Sequence, residues 1–146
     1  MDTARWLKTL RRKLSDVDTA AARREDLELL ETADDVRWEL EARAVAGFDS
    51  FSVGLDSTDT VTYGPVGATD NQQLILLFGA ATALLEETYT GRLDRGELGI
   101  SWKSGLEEES SISAQKAYRD RIDDIRKTTN ELLITYQRFT ANGRPQ

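Results

Sequence analysis

Apolar residues recur at helical spacing along most of the chain. In residues 3–14, Trp6, Leu10 and Leu14 lie four apart with Leu7 beside them, and Arg5, Lys8, Arg11, Arg12 and Lys13 fill the remaining face. That spacing predicts a short amphipathic helix with a basic side. Residues 16–46 also read as helical, with Leu27, Leu30, Ala33, Leu40 and Ala44 as the inward positions. Ser15 with Asp18 forms an aspartate version of a capping box at the start. Thr32-Ala33-Asp34-Asp35 offers a second cap at which the stretch would split, and Gly47 offers a stop.

The pattern then changes. Over residues 48–63, Phe48, Ser50 and Ser52 alternate with Phe51 and Val53, a polar turn follows at Asp56-Ser57-Thr58-Asp59, and β-branched residues lead to Tyr63. A small β-hairpin or extended loop is expected there, closed by Gly64-Pro65. Asp70 and Gln73 read as cap and partner of a helix over 71–90. Its segment 74–85 is apolar almost all round, so it must be covered on every side. It is either the centre of a bundle or partly covered by another subunit. Gly79 within it would permit a close helix crossing, at a cost of about 1 kcal/mol in helix propensity.

Residues 91–112 hold four of the ten glycines, the apolar Ile100, Trp102 and Leu106, and an acidic run at 107–109. They read as a glycine-containing loop. A last helix is expected over 113–140, opened by Ser111 or Ser113. Its stripe is Tyr118, Ile122, Ile125, Thr129, Leu132, Tyr136 and Phe139, in alternating steps of four and three, the seam of coiled-coil-like packing. The expected fold class is therefore mainly α: one domain over 1–146, a helical bundle of about four helices with a small β-hairpin or extended-loop insertion. At 146 residues the chain is long enough to bury its own core.

Charge adds an asymmetry to this picture. Acids outnumber bases 26 to 19, a net of −7. Five bases against one acid give +4 over residues 1–14, which leaves −11 on the other 132. Such a balance argues against a general nucleic-acid binder, which needs a basic face. Fourteen of the bases are arginine and five are lysine. Acid-rich, lysine-poor composition suits concentrated salt, where repulsion is screened over ~3 Å. A GC-rich genome gives the same arginine bias. Residues 1–14 lack the apolar segment and small-residue cleavage site of a secretory leader, and the longest apolar run, twelve positions at 74–85, is short of the ~20 that span a bilayer. No membrane association is expected.

With no cysteine and no histidine, thiolate nucleophiles, histidine triads and the usual zinc sites are excluded. The carboxylate pairs Asp34/Asp35, Glu86/Glu87 and Asp123/Asp124 fall on solvent-facing helix positions. The Asp56–Asp59 turn lacks the calcium-loop pattern, and the glycines of 91–99 lack the lysine and hydroxyl of a phosphate loop. No catalytic residue, metal or cofactor is expected, and no enzyme. Two segments remain as candidate partner interface: Trp6, Arg11 and Arg12 on the first helix, and Ile100, Trp102, Lys103 and Leu106 in or beside the 96–105 loop. The Trp6 face either covers the core or docks on a partner; Trp102 is either a core plug or an interface anchor.

The order of these elements resembles the head–tail adaptor (head-completion, connector) family of tailed viruses. The residues that carry the likeness are the apolar helix from Leu74 to Tyr89, then Gly99-Ile100-Ser101-Trp102-Lys103-Ser104-Gly105, then Ser111-Ile112-Ser113, then the tyrosine-bearing helix from Tyr118 to Tyr136. It spans residues 24–139; the acidic run at 107–109 and the basic first helix depart from the pattern. The resemblance implies a structural virion protein of the neck, assembled in the host cytoplasm. It would form a homo-oligomeric ring, commonly of twelve copies, below the portal protein. DNA would pass through the lumen without specific binding, and a stopper or tail-completion protein would bind the far side. Two other readings fit the residues: another neck or tail-completion protein, or a small helical regulator or interaction protein of a halophilic cell.

Overall fold

The computed structural model describes residues 3–51, 53–55, 62–63, 68–96 and 105–141, with the backbone alone for residues 54, 55, 62, 63, 105–112 and 141. The protein is a helical bundle. Helices α1 (Thr3–Ser15), α2 (Thr19–Ala22) and α3 (Asp26–Ala42) precede the short strands β1 (Gly54–Leu55) and β2 (Thr62–Tyr63); α4 (Asp70–Asp94) and α5 (Gly105–Ala141) follow.

Helix α4 is the axis, touched by α1, α2, α3 and α5. Ile75, Leu76, Leu77, Ala80, Ala81, Leu84 and Leu85 are all buried along it. A rod apolar on every side finds cover on most sides within one chain, apart from the half-buried Leu74, Phe78, Gly79, Thr82 and Ala83. Its N-cap is Thr69, one residue before the expected Asp70. The Thr69 hydroxyl accepts from the Gln72 amide at 3.2 Å and the Gln72 side chain accepts from the Thr69 amide at 2.9 Å, a complete capping box.

Helix α1 runs as expected and buries Trp6, Leu7, Leu10 and Leu14. The stretch 16–46 does not. Ser15 ends α1, and Asp18 itself caps α2 by accepting from the Ala20 amide at 3.0 Å. The break falls at residues 23–25, and Thr32-Ala33-Asp34-Asp35 lie inside an unbroken α3. The reason is Arg37. Its guanidinium bonds Asp34 at 2.9 Å and Glu41 at 3.1 Å, so those acids support the helix interior and do not cap a new one. Leu27 and Ala44 face solvent; Leu29 and the shielded Arg37 take inward positions.

Past α3 the chain turns. Ala44 and Gly47 have left-handed φ of 59° and 87°. Phe48 and Phe51 are both buried, with ring centroids 5.8 Å apart, so they sit on one side of a turn and not on alternate faces of a strand. Strands β1 and β2 pair antiparallel, Gly54 opposite Tyr63 and Leu55 opposite Thr62. At two residues each they fall short of the hairpin expected over 48–63, whose turn lies outside the described residues.

Helix α5 begins at Gly105, eight residues before the expected start, and α4 continues to Asp94, so the expected loop over 91–112 is shorter at both ends. The acidic run 107–109 is helical backbone. The stripe is buried at Tyr118, Ile122, Ile125 and Tyr136. Leu133 joins it, Leu132 is half-buried and Phe139 is exposed, because α5 meets α4 as a straight helix of 3.6 residues per turn and drifts off the strict seven-residue seam.

Gly79 serves the crossing of α3 over α4. A Cβ there would lie 2.8 Å from Val36 Cγ1, a branched and stiff neighbour. Gly79→Ala gains about 1 kcal/mol of helix propensity and loses about 1–3 kcal/mol to overpacking. The expected outcome is a net loss of about 1 kcal/mol in urea unfolding; a variant more stable than wild type would contradict the close crossing.

Candidate partner interface

The residues singled out on α1 have different fates. Trp6 is fully buried and its indole N–H donates to the Gln73 carbonyl at 3.1 Å, fastening α1 to the first turn of α4. Its ring belongs to the core and is not presented to a partner. Arg11 is half-buried, bonded to Asp26 at 2.6 Å and to the Arg24 carbonyl at 2.6 Å, so it ties α1 to the start of α3. Arg12 is exposed. Ile100, Trp102 and Lys103 lie outside the described residues, and Leu106 is placed only as helical backbone of α5.

What α1 does present is a row of bases. Arg5, Lys8 and Arg12 are exposed, at steps of three and four, opposite the buried Trp6–Leu10–Leu14 face. Lys13 leans the other way, its Nζ 4.8 Å above the Phe78 ring. Sequence spacing put all five bases on one amphipathic helix; it did not separate Arg11 and Lys13, spent inside the chain, from Lys8 and Arg12.

Large apolar side chains are exposed on other elements: Trp38 at 59 %, Ile134 at 55 %, Leu27 at 40 % and Phe139 at 37 %. Sequence reasoning passed over Trp38. Its signal was available, since it sits at a polar phase of α3, among Glu31, Asp34, Asp35 and Glu41.

A groove of about 220 Å3 lies between α3 and α5, floored by Ile75, Gly79 and Ala83, with Leu40 and Leu133 on its sides. Glu86 and Arg126 at its rim form an ion pair with each other. It is smaller than the ~300–1,000 Å3 of small-molecule sites. Among the described residues no group of three or more acids is placed to hold a metal ion, and no helix is long and apolar enough to cross a membrane.

Polar groups are shielded at one further place. Asp18 is buried between α1, α4 and α5; it accepts from Arg92 Nε at 2.6 Å, Arg92 Nη2 at 2.9 Å and the Tyr118 hydroxyl at 2.9 Å. Burial pushes its carboxyl up, but the bonds from Arg92, Tyr118 and the Ala20 amide together hold it below the ordinary carboxylate value. Burial and the Asp18 carboxylate push the Tyr118 phenol well up. Among the described residues the carboxylate's bonds all come from within the chain and join three elements, so the cluster is a structural clasp.

No family model, no curated protein and no solved structure matches the chain. The exposed surface of the described residues carries a basic row on α1, an acidic face with a bare tryptophan on α3, and apolar residues on α5.

Proposed function

We propose that the chain is a structural virion protein, a head–tail adaptor. Its copies form a ring below the portal, extend the DNA channel and join the capsid to the tail at the virion neck, after assembly in the host cytoplasm. It acts without catalysis, metal or cofactor. The observation that carries this reading is the division of apolar residues. The rod α4 is mostly covered by the chain's own helices, yet Trp38, Ile134 and Leu27 remain exposed. Exposed anchors of this size suit a part that is finished by neighbours.

Helix α4 is mostly covered within one chain, so the exposed side chains on other elements take over the lateral contact. The element order supports the reading as well: an apolar central helix, a glycine-containing link and a long final helix. The −11 carried outside residues 1–14 suits an acidic lumen through which DNA slides. The segment 96–105, with Ile100, Trp102 and Lys103, and the basic α1 are assigned to contacts with the portal or the neighbouring copy.

Particle mass tests this. The chain mixed with its portal is expected to give a ring-sized complex, and Trp102→Ala to impair virus assembly. A chain that ignores portal, together with unimpaired assembly of the variant, would sink the reading.

The exposed Arg5, Lys8 and Arg12 favour a second reading, a small helical regulator that docks α1 on DNA or a partner. A gel shift that weakens as salt rises distinguishes it, because each phosphate contact made by these bases releases a counterion.

A further inference from the structure

Helices α1 and α3 carry opposite charge on faces exposed to solvent. Helix α1 has five bases and no acid. Helix α3 has seven acids and one base, a net of −6. Arg37, that one base, is turned inward between Asp34 and Glu41. The outward row of α3 is Glu31, Asp35 and Trp38, at steps of four and three, all exposed. The outward row of α1 is Arg5, Lys8 and Arg12, at steps of three and four, also all exposed. Lys8, Arg12, Glu31 and Asp35 form no ion pair among the described residues.

We infer that the outward face of α3 docks on the outward face of α1 of a second copy, with the two helices antiparallel, Glu31 against Arg12, Asp35 against Lys8 and Trp38 against Arg5. The two rows are reverses of each other. Read in opposite directions, the steps of four and three on α3 meet the steps of four and three on α1. Each acid then meets a base and the indole meets a guanidinium, with the four-residue step spanning ~6 Å on both helices. Trp38 is prepared for that contact. One side of its ring already lies 5.1 Å from the Arg37 guanidinium, while 59 % of the residue is open. A second cation on the bare side is a favourable stack. A parallel arrangement either places Trp38 against Ser15 and forgoes the stack, or sets Glu31 on Arg5 and Trp38 on Arg12 and leaves Asp35 one residue out of step with Lys8.

The two faces are different surfaces of one molecule, so the contact is head-to-tail and propagates into a closed ring or an open filament. This names the lateral contact of the ring proposed above and rests on that reading for its setting, but its test does not need the portal.

The test is light-scattering mass at about 0.1 M salt, where close pairs still act across a Debye length of ~10 Å. Wild type is expected well above the 16.4 kDa of one chain. The double variant Lys8→Glu/Arg12→Glu and the double variant Glu31→Lys/Asp35→Lys are each expected to fall to single-chain mass with unchanged circular dichroism, because all four residues are exposed. Mixed in equal amounts, they are expected to reassemble, since each restores the sign the other lacks at both contacts. Trp38→Ala is expected to raise the concentration for half-assembly by about tenfold or more.

Wild type at single-chain mass, or either reversal with mass unchanged, or no recovery in the mixture, overturns the interface. Wild type that assembles by this face yet ignores portal overturns the adaptor reading alone. Wild type that binds portal but never joins its own copies overturns the interface alone.

Discussion

Asp18→Ala is expected to lower stability by about 3–5 kcal/mol, enough to unfold much of a marginal domain. Three elements depend on this carboxylate. Its Oδ1 accepts from the Ala20 amide and caps α2, a role worth about 1 kcal/mol. Both oxygens take the Arg92 guanidinium in a two-point pair that holds the end of α4. Oδ2 also accepts the Tyr118 hydroxyl from α5, one hundred residues along the chain. Removing the carboxylate leaves the shielded phenol without this acceptor and takes the buried charge away from Arg92, the kind of loss that outweighs the net value of the pair itself.

Asp18→Asn separates the parts. It keeps a cap and one acceptor oxygen but no charge, so it is expected to lose less than the alanine variant, by about the worth of a cap. Urea unfolding measures both. Equal losses would mean that the charge, and not the geometry, holds the clasp.

The same group fixes a pH dependence. Its folded-state value lies below the ordinary one, so the unfolded chain takes up the proton first. The contribution is present above about pH 4 and is lost as pH falls through the folded value. Tyr118 acts at the other end. Its folded value is raised, so its contribution is full below about pH 10 and declines as pH rises from there toward the folded value. Urea titrations of Asp18→Asn should show both limbs flattened relative to wild type.

Much of the bundle was legible in the sequence because apolar spacing is a strong signal over long segments. The enclosed helix at 74–85, the amphipathic α1 and the stripe of α5 all follow from it. Gly79 as a crossing point also followed, from a small residue in an otherwise large-residue rod.

Boundaries were less legible, for a particular reason. Arg37 lies buried between Asp34 and Glu41 and donates to the Phe48 carbonyl at 3.0 Å. From sequence, an acid pair after a threonine reads as a cap. That Asp34 serves an inward arginine three residues on depends on the chain doubling back at Gly47, which no local pattern encodes. Trp6 was ambiguous on the same grounds. An indole at one edge of an apolar face can point in or out, and the Gln73 carbonyl that decides it lies 67 residues away. The candidate interface was half legible. Basic residues on α1 were plain, but their complement on α3 emerged only once the phase of that helix placed Glu31, Asp35 and Trp38 together on the outside.

Gly47→Ala is expected to cost about 2–4 kcal/mol, combining a left-handed backbone penalty with overpacking. Gly47 has φ of 87°, where a Cβ collides with its own carbonyl. The Cβ would also lie 2.5 Å from Gln72 Nε2 and 2.6 Å from the Tyr136 hydroxyl. Neither neighbour is free to retreat. Gln72 is held at both ends: its Oε1 accepts from the Thr69 amide in the capping box of α4, and its Nε2 donates to the Tyr136 oxygen at 2.9 Å. That hydroxyl in turn donates to the Ala46 carbonyl, and the ring meets Phe48 edge-on with centroids 5.5 Å apart. Relieving the clash therefore means breaking the cap of α4, the contact of α5 with the 44–48 turn, or both. Tyr136→Phe checks the division of the effect. It removes one neighbour of the added methyl and the hydroxyl's two bonds, so combined with Gly47→Ala it should lose less than the sum of the two single changes. Strict additivity in urea unfolding would place the cost in the backbone conformation alone and remove the Gln72–Tyr136 bracket from the account.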